Sequence, residues 1–505
     1  MPEHKKSFQL KDAENPRDAA LVILLRVCEE RQKSHYALRE VLADCPKMQP
    51  RDKAFAKRAA EGSLDYLIRL DYLLSRYLKK PLRLQKPLLR NLLRLSLYQI
   101  LYMDKVPDSA VCNEAVKLAK LHGFSGLSGV VNGVLRAVIR DKEAGADRLL
   151  SVPDRAADLA VPKWLYQKLQ DSFGTEQAET IASAWLLERP AVLRLNRSRA
   201  AEAEAEALLM EDGVCFRRLE SEAFFRSLGL MSCSAAGQNE RKRQGAEAQH
   251  TGMQNAGLSG AGQRGEVQQE TALPLDSGPA LPVFYEVSGI AGLSELRAFR
   301  EGILQPQDMS AAIPAVLAAP KAGDYIIDVC AAPGGKSLQL ADMLYELENG
   351  QQAGIVDARD LSPQKVRLIE ENIARSGFRN IRARVQDALE TDEDSLFRAD
   401  IVIADLPCSG LGIAARKPDI KQNVEPYSIT ELRELQRDML RVISRYVKPR
   451  GKLVYSTCTL TREENEENAA FIAEELGFQL ERQIRVFPAQ EHDGFYAALL
   501  TKQYT

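Results

Sequence analysis

From Pro16 to about Ala144 apolar residues recur at every third or fourth position, in stretches such as LVILLRVC, YALREVL, LDYLIRLDYLLSRYL, PLLRNLLRLSLYQILYM and VVNGVLRAVIR. That spacing puts an apolar stripe on each of several helices and predicts a self-contained helical bundle over 16–145. Between residues 150 and 232 the period changes. WLYQKLQDSF and AAEAEAEALLM read as helices and AVLRLN and VCFRRLE as short strands, so linker helices and a small α+β subdomain are expected within 150–310. After residue 310 strands and helices alternate. Candidate strands YIIDVC, AGIVDA, IRARV, ADIVIAD, KLVYST, FQLE and FYAALL are separated by helical stretches such as SLQLADMLYEL and SPQKVRLIEENIARSG, which predicts a doubly wound α/β domain over 311–505.

The patterning lapses from Cys233 to Ala280, where 48 residues hold 8 Gly and 7 Gln but no aromatic residue and no Ile; a disordered insert is expected there. A chain of 505 residues is too long for one ordinary core, which agrees with several domains. With 68 Lys+Arg against 70 Asp+Glu, whole-chain charge favours neither a nucleic-acid nor a membrane partner. Locally, residues 51–100 carry 12 Lys/Arg against 4 Asp/Glu, a basic face on the bundle that can neutralise phosphates but, taken alone, is more often simply solvated. The eight cysteines form no CxxC pair and no cluster, so neither a metal site nor a disulfide framework is expected. No apolar run spans a bilayer and MPEHKKSFQL lacks an apolar core, which reads as a cytoplasmic protein with reduced thiols.

In doubly wound sheets ligands gather at the carboxyl ends of the strands. The first strand of this domain runs into Asp328, Val329, Cys330, Ala331, Ala332, Pro333, Gly334, Gly335 and Lys336 and then a helix, a turn whose glycines let backbone N–H groups approach a small ligand. It is neither GxGxxG nor a P-loop, which disfavours a dinucleotide or a nucleoside triphosphate. Asp360, ending the second strand, suits two ribose hydroxyls, and Asp387, after the third, an adenine amino group; either alone is more often a solvated turn or N-cap residue. The fourth strand ends at Asp405, followed by Cys408 between Pro407 and Gly410, and the fifth runs into Cys458. Thr461 and Glu464 read as a capping box opening a helix, which would set Cys458 beside a helix N-terminus and favour its thiolate. A lone cysteine is usually inert packing, but two at the active edge of one sheet point to nucleophilic chemistry.

Together DVCAAPGGKS, DLPCSGLG and YSTCTLTREENEEN resemble the signature loops of the Nop2/Sun family of RNA 5-methylcytosine methyltransferases, and FREGILQPQDMS, RKPDI and EHDGFYAALL extend the similarity over 285–505. RDKAFAKRAAEGSL, LSLYQILYMDKVPDSAVCNEAVKLAK and VVNGVLR resemble a NusB-like RNA-binding domain. The resemblance implies an all-α NusB-like bundle, a small RRM-like subdomain and a seven-stranded Rossmann-like methyltransferase domain. It implies S-adenosylmethionine bound by Cys330, Ala331, Ala332, Pro333, Gly334, Gly335, Lys336, Asp360, Asp387 and Asp405. It implies Cys458 as the nucleophile, Cys408 as the cysteine of product release and Asp405 as a contact to the base edge. The implied partner is 16S rRNA, naked or in an assembling small subunit, with no metal, no membrane and no obligate protein partner. The competing reading is a NusB-type RNA-binding protein whose methyltransferase half is silent. An amino-group methyltransferase would want an Asn/Asp-Pro-Pro-aromatic loop where Asp405–Cys408 reads Asp-Leu-Pro-Cys.

Overall fold

The computed structural model describes residues 8–230, 280–290, 292–347 and 354–503; the insert expected over 233–280 lies outside them apart from Ala280. Contacts divide the chain into two compact units, one reaching to Arg189 and including Ile413–Val424, the other formed by Pro190–Gly412 and the residues from Glu425 onward.

The first unit is helical, as the period of its apolar residues dictates. Its main helices are α1 (Pro16–Glu30), α2 (Ser34–Ala43), α3 (Pro50–Asp65), α4 (Leu67–Ser75), α5 (Pro87–Tyr102), α6 (Asp108–Leu121) and α7 (Ser128–Glu143). Asn15 caps α1, its side chain accepting from the N–H groups of Arg17 and Asp18, and Pro16 occupies the first turn, where its missing N–H costs nothing. Leu21 to Leu25 of α1 and Leu92, Leu93, Leu95 and Leu97 of α5 lie in one apolar core. The helices between residue 150 and Arg189, read as linker helices, also fall within this unit, where Arg69 of α4 pairs with Asp158 at 3.2 Å and Arg76 donates to the Ser151 carbonyl at 2.8 Å. The segment Ile413–Val424, which contains the RKPDI motif, joins the unit through Lys421, whose Nζ donates to the Asp65 carbonyl at 3.0 Å. Part of the basic excess is internal. Arg90 pairs with Glu29 at 2.5 Å and Arg94 with Asp71 at 2.6 Å, whereas Lys79, Lys80, Arg83 and Lys86 stand exposed.

The second unit holds two sheets. Strands β1 (Ala191–Leu195), β2 (Cys215–Arg218), β3 (Phe284–Ser288) and β4 (Leu304–Pro306) form a small antiparallel sheet in the order β2-β3-β1-β4. The larger sheet comprises β5 (Tyr325–Asp328), β6 (Ile355–Asp360), β7 (Ile381–Val385), β8 (Ala399–Asp405), β9 (Val447–Thr457), β10 (Phe478–Val486) and β11 (Phe495–Lys502). Its order is β10-β11-β9-β8-β5-β6-β7, with β5 to β9 parallel and β10 and β11 antiparallel additions. Buried on both faces, the parallel strands carry continuous apolar runs such as Ile401 to Ala404. A buried polar clasp makes the two sheets one unit: Arg194, 1% exposed, reaches Gln307 at 2.7 Å and Asp342 at 3.1 Å. Winding proceeds outward from β5 through β6 to β7 and then returns to β8 on the other side, so strand order reverses between β5 and β8. Crevices open at such reversals, and the loops of interest lie there. Among the described residues no helix is long and apolar enough to cross a membrane.

Candidate active site

The loop after β5 is shaped by one residue that needs glycine. Gly334 has φ +103°, a conformation other residues avoid, and its N–H bonds back to the Ala331 carbonyl at 2.6 Å, closing the turn from which the helix Gly335–Leu347 starts. A side chain at Gly335 would meet nothing within 4 Å, so the backbone here faces open space. The ends of β6 and β8 hold the loop from both sides. Asp360 accepts from the Ala332 N–H at 3.2 Å, and Lys336 Nζ lies 2.6 Å from Asp405 Oδ2. The other oxygen of Asp405 accepts from the Ser456 hydroxyl at 2.9 Å, its register partner on β9. Burial works against a charged Lys336, but Asp405, followed by Asp328 and Cys458, outweighs it and holds the ammonium above the ordinary lysine range. Asp387 follows β7, where its Oδ1 accepts from the Leu389 N–H at 2.9 Å. Cys330 is a half-buried packing residue whose thiol burial pushes up, so it stays protonated.

Asp328 lies beneath this loop, 1% exposed, with its Oδ2 taking the Ser337 hydroxyl at 2.7 Å and its Oδ1 without a hydrogen-bond partner. Burial, only partly opposed by Ser337 and Lys336, pushes its pKa up to about 6 from an ordinary 3.8. A carboxyl raised in this way contributes stability that is fully present below pH 3.8 and lost as pH rises through about 6. Asp328→Asn is therefore expected to remove a fall in stability of about 3 kcal/mol across that window. Wild-type and variant melting curves recorded from pH 4 to 7 check this, and parallel pH profiles would refute it.

The two cysteines meet. Cys408 follows β8 and Cys458 follows β9, adjacent parallel strands, and their sulfurs stand 3.4 Å apart. Both are partly exposed, while Ser409, Thr457 and Thr459 around them are buried. The hydrogen bond to Cys458, then burial, then the charges of Cys458, Glu464 and Asp405 hold the Cys408 thiol well above its usual range. The helix beyond Cys458 starts at Glu466 with Asn465 at its cap, not at the expected capping box. Thr461 and Glu464 do pair, side chain to side chain at 2.7 Å, because Glu464 turns inward to the Cys408 loop instead of back to a helix N-terminus. Cys458 therefore does not adjoin a helix N-terminus.

Gly412 binds the loops together, donating to the Cys458 carbonyl and accepting from Gly494 N–H, each at 2.9 Å. A methyl group there would lie 2.1 Å from the Gly494 carbonyl oxygen and 2.8 Å from that of Cys458. Gly412→Ala is expected to cost about 1–3 kcal/mol of stability, since backbone must move, and to lower turnover with it. Wild-type melting and turnover in this variant would contradict the close approach.

The structure thus brings together the loop 330–336 with Asp360, Lys336 with Asp405, and Cys408 with Cys458. Reading the sequence missed the Lys336–Asp405 pair, Ser456 and the inward role of Glu464, because each depends on which strands are neighbours.

Residues 315–501 match the model of the 16S rRNA methyltransferase RsmB/F family, residues 14–140 that of the NusB family, and residues 161–223 that of the ferredoxin-like domain of RsmF/B-like methyltransferases. The chain is 32% identical over 468 residues to the probable ribosomal RNA small subunit methyltransferase B of Bacillus subtilis, covering 92% of this chain and 89% of that protein. It is 28% identical over 500 residues to ribosomal RNA small subunit methyltransferase B of Vibrio vulnificus, covering 97% and 100%. Among solved structures, that of PH0851 matches with a TM-score of 0.70 at 20% identity, covering 98% of this chain and all of that one, a likeness of fold.

Proposed function

The chain belongs to the ribosomal RNA small subunit methyltransferase B family, and from that premise we propose that it transfers a methyl group from S-adenosylmethionine to carbon 5 of a cytosine in 16S rRNA through a covalent cysteine adduct. The observation that carries this reading is the pair of sulfurs 3.4 Å apart at the ends of β8 and β9, next to the Lys336–Asp405 pair.

The residues present fit the cofactor. An open glycine turn after β5 and carboxylates at the ends of β8, β6 and β7 form one row along the sheet edge, with Asp360 and Asp387 suited to ribose hydroxyls and an adenine amino group. Loop 330–336 would hold the methionine part. The bound cofactor supplies an electrophilic methyl group.

Carbon 5 of cytosine is too electron-poor to attack that methyl unaided. Cys458 remedies this: its thiolate adds to carbon 6, and the ring becomes an enamine that is nucleophilic at carbon 5. Asp405, fixed by Lys336 and Ser456, contacts the base edge and helps protonate the ring nitrogen as negative charge develops there, the proton coming from the Lys336 ammonium it is bonded to. A thiolate reaches carbon 6 only when the base is unstacked, so single-stranded or extruded cytosine is the substrate. Exposed Lys79, Lys80, Arg83 and Lys86 on the helical unit suit the RNA backbone.

The test is transfer of labelled methyl from S-adenosylmethionine to 16S rRNA lacking the modification, naked and in small-subunit particles, with nucleoside analysis of the product. Label in 5-methylcytosine is the expected result. RNA and cofactor binding without labelled cytosine on either substrate would favour a silent methyltransferase half.

A further inference from the structure

Glu464 is a fully buried carboxylate that the chemistry above does not use. Its partners are four donors, none of them a cation. Oε1 accepts from the Ser409 N–H at 2.8 Å and Gln436 Nε2 at 3.2 Å, and Oε2 accepts from the Ser409 hydroxyl at 2.5 Å and the Thr461 hydroxyl at 2.7 Å. A buried charge persists only where such donors replace water, and hydrogen bonds to it are short and strong.

The donors are not scattered. Ser409 directly follows Cys408, and Gln436, which also donates to the Pro407 carbonyl at 2.8 Å, holds the residue directly before it. Cys408 is thus clamped from both sides, and both clamps end on Glu464. Thr461 lies on the Cys458 loop, and Ser409 and Thr459 share a hydrogen bond of 2.6 Å between the two loops. Glu464 is therefore a side chain bonded to both cysteine loops and to the helix Pro426–Ile443 behind them.

We propose that Glu464 is a positioning residue that sets Cys408 against Cys458 and commits the two sulfurs to different tasks. The proposal rests on the two-cysteine reading above and adds to it the group that keeps the cysteines distinct. Geometry supplies the fixed approach of the sulfurs. Charge adds to it: Cys458, Glu464 and Asp405 face Cys408, with Tyr455 behind it and Lys336 on the Cys458 side, which disfavours a thiolate at Cys408 in the free protein.

Two variants of the full chain separate shape from charge. Glu464→Gln keeps the shape, because its carbonyl can face the Ser409 N–H while its amide faces two hydroxyls that are able to accept. Glu464→Ala removes both. In a Cys458→Ser background the pH dependence of Cys408 alkylation by iodoacetamide, followed by mass spectrometry of the Cys408 peptide, is expected to move down by about one unit in Glu464→Gln. With Cys458 intact, kcat is expected to fall on the order of 10-fold in Glu464→Gln and 10²-fold in Glu464→Ala, with KM for S-adenosylmethionine within about twofold of wild type. Should Glu464→Ala fail to fold, the isosteric variant carries both measurements. An unmoved alkylation midpoint, or a kcat within about twofold of wild type in Glu464→Gln, overturns the proposal. Absence of 5-methylcytosine from the wild-type reaction would instead overturn the functional reading, while the alkylation midpoint still reports on Glu464.

Discussion

Cys458→Ala is expected to abolish 5-methylcytosine formation, with kcat down on the order of 10⁴-fold or more, while S-adenosylmethionine and RNA still bind. The size of the effect follows from the substrate. Without a group added at carbon 6 the cytosine ring has no electron density to offer at carbon 5, and no other residue of the site can replace the sulfur. Cys408 stands only 3.4 Å away, but it lies on the neighbouring loop, held there through Ser409 and Pro407, and burial still opposes its thiolate when Cys458 is gone. The variant should fold normally. Cys458 is only partly buried, and the loop around it is fixed by neighbours: Thr457 bonds Asn465 at 2.5 Å, and Asn465 donates to the Thr459 carbonyl at 3.1 Å. Single-turnover transfer of labelled methyl, with cofactor binding by calorimetry as the control, measures both halves of the expectation. Residual transfer within about tenfold of wild type would remove Cys458 from the nucleophile's place.

Much of this architecture was legible along the chain because its signals are local. ADIVIAD and KLVYST hold unbroken apolar centres, Ile401 to Ala404 and Leu453 to Tyr455, because their strands are covered on both faces, and β8 and β9 appear where they were expected. The glycine turn after YIIDVC announced itself for the same reason, since Gly334 occupies a conformation few other residues accept. What escaped is non-local. Lys336 and Asp405 are 69 residues apart, and Cys408 and Cys458 are 50 apart; they meet only because β5, β8 and β9 are consecutive in the sheet. Strand order is set by packing of the whole domain, not by any one segment. Glu464 misled for a related reason. TREE is a valid local cap pattern, but the donors of Ser409 and Gln436 outbid the helix N-terminus, and the helix starts at Glu466 instead.

Cys408→Ala is expected to have the opposite signature to Cys458→Ala: methyl transfer occurs, but the RNA stays attached to Cys458 and accumulates toward one adduct per protein. After transfer, carbon 5 carries both the methyl group and its original hydrogen. The adduct collapses only when a base takes that proton, whereupon the C–H electron pair forms the 5,6 double bond and expels the Cys458 thiolate. In the free protein Cys408 is poorly placed to be that base, because its largest restraint is the hydrogen bond to Cys458. Forming the adduct turns Cys458 into a thioether with neither a proton to exchange nor a charge, so that restraint and the repulsion from a Cys458 thiolate both vanish. Burial and the charges of Glu464 and Asp405 remain, which makes the Cys408 thiolate, once formed, a strong base directly beside the reacting ring. The two sulfurs thus change roles in sequence, and the change is driven by the covalent state of one of them. A denaturing gel of variant protein with labelled 16S rRNA should show a protein–RNA species that survives boiling, and after nuclease digestion mass spectrometry should find a methylated cytidine remnant on the Cys458 peptide. Multiple turnovers at the wild-type rate without any such species would show that another group takes the proton, and would leave Cys408 a packing partner of Cys458.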